Sequence, residues 1–182
     1  MFAESHGSPN DDQSAGECVR YLLLLGSNIE REQNLAHAHT TLSERYTVLA
    51  CSRICDSEAV GAPQTPRFFN QAVWIETQRS PDTLRSELRA IEAQLGRQRS
   101  DDRNAPREID IDILLATTHD GTIDEATPID PELLTAHHVC VPAADIAGTT
   151  YLPQHGRTIG EIAAALAPPP AGFEIVGTMD GG

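Results

Sequence analysis

The order strand, helix, strand, strand, helix, strand between residues 19 and 116 predicts an α+β sandwich: an antiparallel sheet with both helices on one face. Three observations predict it. A strand at Val19 to Leu25, with an uninterrupted apolar run from Tyr21, is closed by the turn Gly26-Ser27-Asn28. Two segments repeat apolar residues at helical spacing, and two later segments alternate apolar and other side chains as strands do.

Taken in order, residues 1–17 are polar and are expected to form a disordered tail. Val19 to Leu25 reads as a buried first strand. From Glu30 to Arg45, the positions of Leu35, Ala38 and Leu42 predict a helix. Tyr46 to Cys55 predicts a second strand, with Cys51 and Cys55 on one face, and Phe69 to Thr77 a third. Between them, Asp56 to Arg67 carries Gly61, Pro63 and Pro66 and reads as a loop. Ser80-Pro81 is a helix start, and Leu84, Leu88, Ile91 and Leu95 continue it to a stop at Gly96. Ile109 to Ala116 is a fourth strand, Val139 to Ala147 a short apolar segment and Ile159 to Leu166 a further helix. The boundaries expected are a domain over 18–167 and a loosely ordered C-terminal tail over 168–182.

Composition narrows the function. With 182 residues, 40% of them hydrophobic, the chain buries roughly 70% of its unfolded surface without needing disulfides or a structural metal. Its four cysteines include no CxxC, and Glu4, Asp11 and Asp12 stand where an export signal needs positive charge, so a cytoplasmic protein with free thiols is expected. No apolar run is long enough to span a membrane. The net charge of -14 argues against nucleic-acid and anionic-membrane partners. All 13 basic residues are arginine, which excludes Schiff-base chemistry and a P-loop lysine. Seven of the 13 fall between residues 79 and 107, a concentration suited to a small polyanion such as a phosphate chain. Of these, Arg79, Arg85 and Arg89 read as a solvated helix face.

The chemistry concentrates in Glu92 to Arg99 and Pro106 to Leu115. On a strand Ile109, Ile111 and Ile113 face the core while Asp110 and Asp112 point together from the opposite face, roughly 7 Å apart. Such a pair suits one or two Mg²⁺ ions that keep further sites for phosphate and water. Arg97, Arg99 and Arg107 flank it.

Together, LGSN at Leu25 to Asn28, FxNxxV at Phe68 to Val73, ExxxGRxR at Glu92 to Arg99 and PRxIDIDILL at Pro106 to Leu115 resemble the 6-hydroxymethyl-7,8-dihydropterin pyrophosphokinase family of folate biosynthesis. The resemblance runs from residue 19 to about 166. It implies a ferredoxin-like α-β-α sandwich with an antiparallel-rich sheet, and transfer of the β,γ-pyrophosphoryl group of ATP to the pterin hydroxymethyl with release of AMP. It implies that Asp110 and Asp112 hold two Mg²⁺ ions. Arg97 and Arg107 become catalytic arginines of a mobile loop, and Glu92, Arg99 and Ile113 contribute to the ATP site. Around the pterin it places Phe68 as a stacking ring, Asn70 as the amide partner, and Ser57 and Val60 at the ring edge. Where the family has a second phenylalanine this chain has His138, which is either a stacking ring or, with His137, a polar loop residue. The chain also has Asn104, Asp130 and Ala136 where the family has tryptophan, histidine and arginine. Two alternatives stay open here: transfer to an altered pterin-like acceptor, and a catalytically weak nucleotide- or pterin-binding module. The expected partners are ATP and a small pterin, with no nucleic acid and no membrane, and the expected state is a monomer.

Overall fold

Strand β1 (Val19–Ser27) runs through the middle of a sheet covered on both faces, which explains why its apolar run does not alternate. Tyr21, Leu23 and Leu25 pack against helices α1 (Arg31–Arg45) and α2 (Pro81–Gln94). Leu22 and Leu24 pack on the other face, against α3 (His137–Ala147) and α4 (Ile159–Ala165). The computed structural model describes residues 18–59, 61, 65–98, 105–118 and 126–177. The expected disordered tail over 1–17 and the chain end over 178–182 lie outside them.

The sheet also contains β2 (Thr47–Cys51), β3 (Ile54–Ser57), β4 (Phe68–Thr77), β5 (Asp110–Thr118), β6 (Ala126–Pro128) and, at the C-terminus, β9 (Glu174–Gly177). Two two-residue strands, β7 (Tyr151–Leu152) and β8 (Arg157–Thr158), pair apart from it. The order is β6-β5-β1-β4-β3-β9, all antiparallel, with β2 also paired to β4. The α-β-α sandwich is therefore present, with the first two helices on one face as the element order predicts. The fold has a second helical layer that the order of those six elements alone does not contain.

Three expectations need correction. The single strand Tyr46 to Cys55 is two strands that share one edge of β4. Ser52 separates them: its N–H donates to the Ala72 carbonyl at 2.9 Å and its Oγ accepts from the Ala72 N–H at 2.9 Å. The break reverses the side-chain alternation, so Cys51 packs toward α1 and α2 while Cys55, opposite Asn70, takes the other face. The third correction concerns the C-terminal tail, whose residues 174–177 form β9 rather than lying loose. β-branched Ile175 and Val176 suit the open edge of β3, and Arg67 holds the approach by donating to the Gly172 carbonyl. Among the described residues no helix is long and apolar enough to cross a membrane.

Helix α2 begins as its sequence dictates, with Ser80 Oγ accepting from the Thr83 N–H at 3.3 Å and Pro81 in the first turn. It ends at Gly96, whose φ of 99° is left-handed. That turn delivers Arg97 beside β5.

Candidate active site

Strand β5 has one free half. β6 pairs with Leu115 to Thr117, and among the described residues no strand pairs with the edge along Asp110 to Ile113. Ile109, Ile111 and Ile113 are buried toward α1 and α2, which turns Asp110 and Asp112 to the opposite face. The bulge at Leu114 then reverses the alternation, so that Leu114 and Leu115 join the other core layer. A cleft of about 860 Å³ runs along the open edge, walled by α2 on one side and by Ile129 to Pro131 on the other.

Glu92 anchors this cleft. Buried at 3% exposure, it accepts the unpaired strand-edge N–H of Ile111 at 2.8 Å and lies 2.6 Å from Arg97 Nη1. Arg97 also pairs with one oxygen of Asp110, and Arg107 with the other. Burial opposes ionisation of Asp110, but these two guanidiniums outweigh it and hold its carboxyl below the ordinary range. Asp112, open to the cleft, is paired with no guanidinium among the described residues, although the Arg97 charge acts on it. Lost hydration, followed by the charges of Asp110, Asp130 and Glu92, pushes it up to about 7. Asp112 thus feels more carboxylate than guanidinium charge.

A second cavity, of about 360 Å³, lies on the other side of the aspartates. Phe68 and Asn70 enter it from β4, Ser57 from β3 and His138 from the first turn of α3. Asn70 Nδ2 donates to Ser57 Oγ at 2.9 Å, which fixes the amide. Gly26 makes room for both neighbours: a Cβ there would stand 3.3 Å from Asn70 Oδ1 and 3.9 Å from the Phe68 ring. Asp56 accepts from Arg67 at 2.7 Å and Arg31 at 3.3 Å, holding the end of β3 that carries Ser57. His138 Nε2 is 3.5 Å from Glu132 Oε2. Burial lowers the His138 pKa, and the nearby Glu132 and Asp130 carboxylates offset this only in part. Arg107, Asp110, Asp112 and Asp130 line both cavities, so the two spaces meet at the aspartate pair.

The sequence matches the family model for 7,8-dihydro-6-hydroxymethylpterin-pyrophosphokinase over residues 22–148. The chain belongs to this family. It is 33% identical over 156 residues to the 2-amino-4-hydroxy-6-hydroxymethyldihydropteridine pyrophosphokinase of Pseudomonas aeruginosa, covering 80% of this chain and 91% of that one. To the enzyme of the same name from Methylorubrum extorquens it is 35% identical over 168 residues, 87% of this chain and 99% of that one. The folate synthesis bifunctional protein of Arabidopsis thaliana is 28% identical over 130 residues, 70% of this chain, which spans only 27% of that protein's length. The Plasmodium falciparum HPPK-DHPS crystal structure with pteroate shares the fold at a TM-score of 0.60 and 13% identity, over 81% of this chain and 42% of that one.

Within this pyrophosphokinase-family fold, Glu92, Arg97, Arg107, Asp110, Asp112 and Ile113 come together in the larger cleft, and Ser57, Phe68, Asn70 and His138 in the smaller. Val60, Arg99 and Asn104 lie outside the described residues, as does the middle of the expected mobile loop. His138 lines a cavity instead of a surface loop, whereas His137 turns away to the Ala167 carbonyl at 2.7 Å. Arg79 pairs with Glu87 at 3.1 Å on the surface as expected. Arg85 and Arg89 are solvated too, on the side of α2 that lines the larger cleft. Helical periodicity identified the buried stripe of α2 but could not tell which flank of that stripe β5 leaves open. Sequence reasoning also missed Asn28 as a positioning residue. Its Oδ1 accepts from the Arg107 N–H at 2.7 Å, its own N–H donates to the Arg107 carbonyl at 3.3 Å, and its Nδ2 donates to the Pro66 carbonyl at 3.3 Å. The only trace of this in the sequence is the Asn that closes the LGSN turn.

Proposed function

We propose that this chain transfers the β,γ-pyrophosphoryl group of ATP to the hydroxymethyl oxygen of 6-hydroxymethyl-7,8-dihydropterin, releasing AMP. The observation that carries the reading is the meeting of the two cavities at Asp110 and Asp112: a donor in the larger cleft and an acceptor in the smaller would face each other there. The donor set fits Mg²⁺. Two carboxylates project together, Asp112 feels mostly the charge of other carboxylates, and phosphate and water oxygens would complete the set of hard oxygen ligands that suits Mg²⁺. Asp110 and Asp112 would hold up to two such ions, which when bound supply charge neutralisation for the phosphate chain.

The protein groups then divide the work. Glu92 fixes the strand edge and Arg97 together. Arg97 and Arg107 neutralise Asp110 in this structure, and were a cation to take over that role their guanidiniums would be available to phosphate oxygens that gain charge during transfer. Phe68 offers a ring face and Asn70 an oriented amide to a flat pterin with a fixed edge of donors and acceptors. The His138–Glu132 pair in the same cavity favours a second reading, in which the acceptor is a pterin with a more polar substituent.

The test is a quenched incubation with ATP, Mg²⁺ and the pterin alcohol, analysed for nucleotide products. AMP formed in proportion to pterin consumed supports the reading. ADP in its place would mean single-phosphoryl transfer, and AMP only with a more polar pterin would select the second reading.

A further inference from the structure

The far wall of the larger cleft carries charge for which the transfer scheme above has no use. Arg85, Arg89 and Glu92 stand at i, i+4 and i+7 on α2 and so form one stripe, beside the buried stripe of Leu84, Leu88 and Ile91. All three members of the stripe line the cleft. Glu92 lies at the aspartate end. From there Arg89 stands about 4.5 Å farther along the helix axis and Arg85 about 10 Å farther.

These two arginines differ from the others in how they are held. Arg97 and Arg107 are engaged by Glu92 and Asp110. Arg20, Arg31, Arg53, Arg67 and Arg79 each pair with a carboxylate, and Arg45 bonds to Gln94. Arg85 meets only Asp82 at 3.1 Å, a pair whose acid is 95% exposed and which therefore holds the guanidinium weakly. Arg89 has no hydrogen bond or ion pair to any described residue, a condition it shares among the described arginines only with Arg157, which is on β8 away from the cleft. In a chain with a net charge of -14, an arginine without a carboxylate on a cleft wall is a place for an anion.

We propose that Arg89 and Arg85 bind the AMP half of ATP, with Arg89 on the α-phosphate and Arg85 on the nucleoside beyond it. The proposal rests on the transfer reading given above. The carboxylates and the two arginines that pair with them, Arg97 and Arg107, stand at one end of the cleft, and Arg89 and Arg85 line its wall beyond them. A metal-bearing β,γ-diphosphate belongs at the carboxylates, which leaves the α-phosphate and nucleoside to extend along α2. The reaction gives Arg89 a second role. The acceptor hydroxyl oxygen bonds to the β-phosphorus and releases its proton to solvent, the bond from that phosphorus to the bridging oxygen breaks, and the bridging oxygen leaves on the α-phosphate with its electron pair. AMP thus gains negative charge where Arg89 stands, and the arginine stabilises it from a helix that need not reorganise.

Calorimetric titration of the full chain with three probes separates the two ends of the site: AMP without metal, inorganic pyrophosphate with Mg²⁺, and an unreactive ATP analogue with Mg²⁺. Arg89→Ala is expected to weaken AMP and the ATP analogue about tenfold, as for loss of a charge-assisted hydrogen bond. Arg85→Ala should weaken both by less, and Arg89→Lys should recover part of the loss. Pyrophosphate should bind within twofold of wild type in all three variants. Unchanged AMP affinity in the Arg85→Ala/Arg89→Ala double variant would overturn the proposal, and so would an equal loss of AMP and pyrophosphate. If the wild-type protein binds neither AMP nor the ATP analogue, the transfer reading itself fails and takes the proposal with it.

Discussion

At the scale of single residues, His138 shows how its surroundings decide a side chain's chemistry. Its ordinary pKa of 6.5 is lowered by burial in the acceptor cavity, so the imidazole is neutral at pH 7 and stays neutral somewhat below 6.5. The unfolded chain takes up this proton before the folded one does, so acidification through 6.5 and below removes stability. Asp112 titrates near neutrality in the same cavity, so His138 is read from the ratio of pterin affinities of wild type and His138→Phe, measured with an unreactive ATP analogue present. That ratio should be constant from pH 8 to about 6.5 and change only below that. His138→Phe should tighten binding; a ratio already changing between pH 8 and 7 would remove His138 from the pocket. Asn28 acts by position. Asn28→Ala leaves the Arg107 N–H without its acceptor, a loss of about 1–3 kcal/mol. Steady-state kinetics should show kcat reduced about tenfold or more with a smaller change in the KM for ATP, because a displaced Arg107 is missed most in the transition state.

Among the elements, β1, β4, β5, α1 and α2 were legible because each has a local signature, an apolar run in β1 and periodically spaced apolar residues in the others. Ser80-Pro81 and Gly96 bound α2 without help from the rest of the chain. The elements that were not legible depend on distant partners. Ser52 divides β2 from β3 only because Ala72, on another strand, supplies both hydrogen bonds. Likewise β9 exists because β3 leaves an edge to which four residues near the C-terminus can pair. The pairing of α3 with α4 is of the same kind. The Gly160 N–H donates to the Gly148 carbonyl at 2.9 Å, and a Cβ on Gly160 would lie 2.8 Å from that oxygen. Gly160→Ala should therefore cost about 1–3 kcal/mol in urea unfolding. AMP formation at 25 °C should persist, since α4 contributes no side chain to either cavity.

Over the whole molecule, the sheet brings together what the sequence keeps apart. Asp110 and Asp112 were legible as a pair from alternation alone, and the flanking arginines marked them as a phosphate site. That the pair lies between two cavities was not legible. It depends on β6 stopping short of Asp110, on Gly26 leaving room for Asn70 and Phe68, and on α3 bringing His138 across from far along the chain. The account's central claim is that the pyrophosphoryl group crosses between the cavities at this pair. It is tested most directly by rapid-quench measurement of AMP in a single turnover, comparing wild type with Asp110→Asn and Asp112→Asn at saturating Mg²⁺, ATP and pterin alcohol. The account predicts pterin-dependent AMP formation in wild type and a fall of at least about a thousandfold in each variant, the scale of losing a principal electrostatic contact to the transition state, while pterin binding is retained. AMP formation near the wild-type rate in either variant would contradict it.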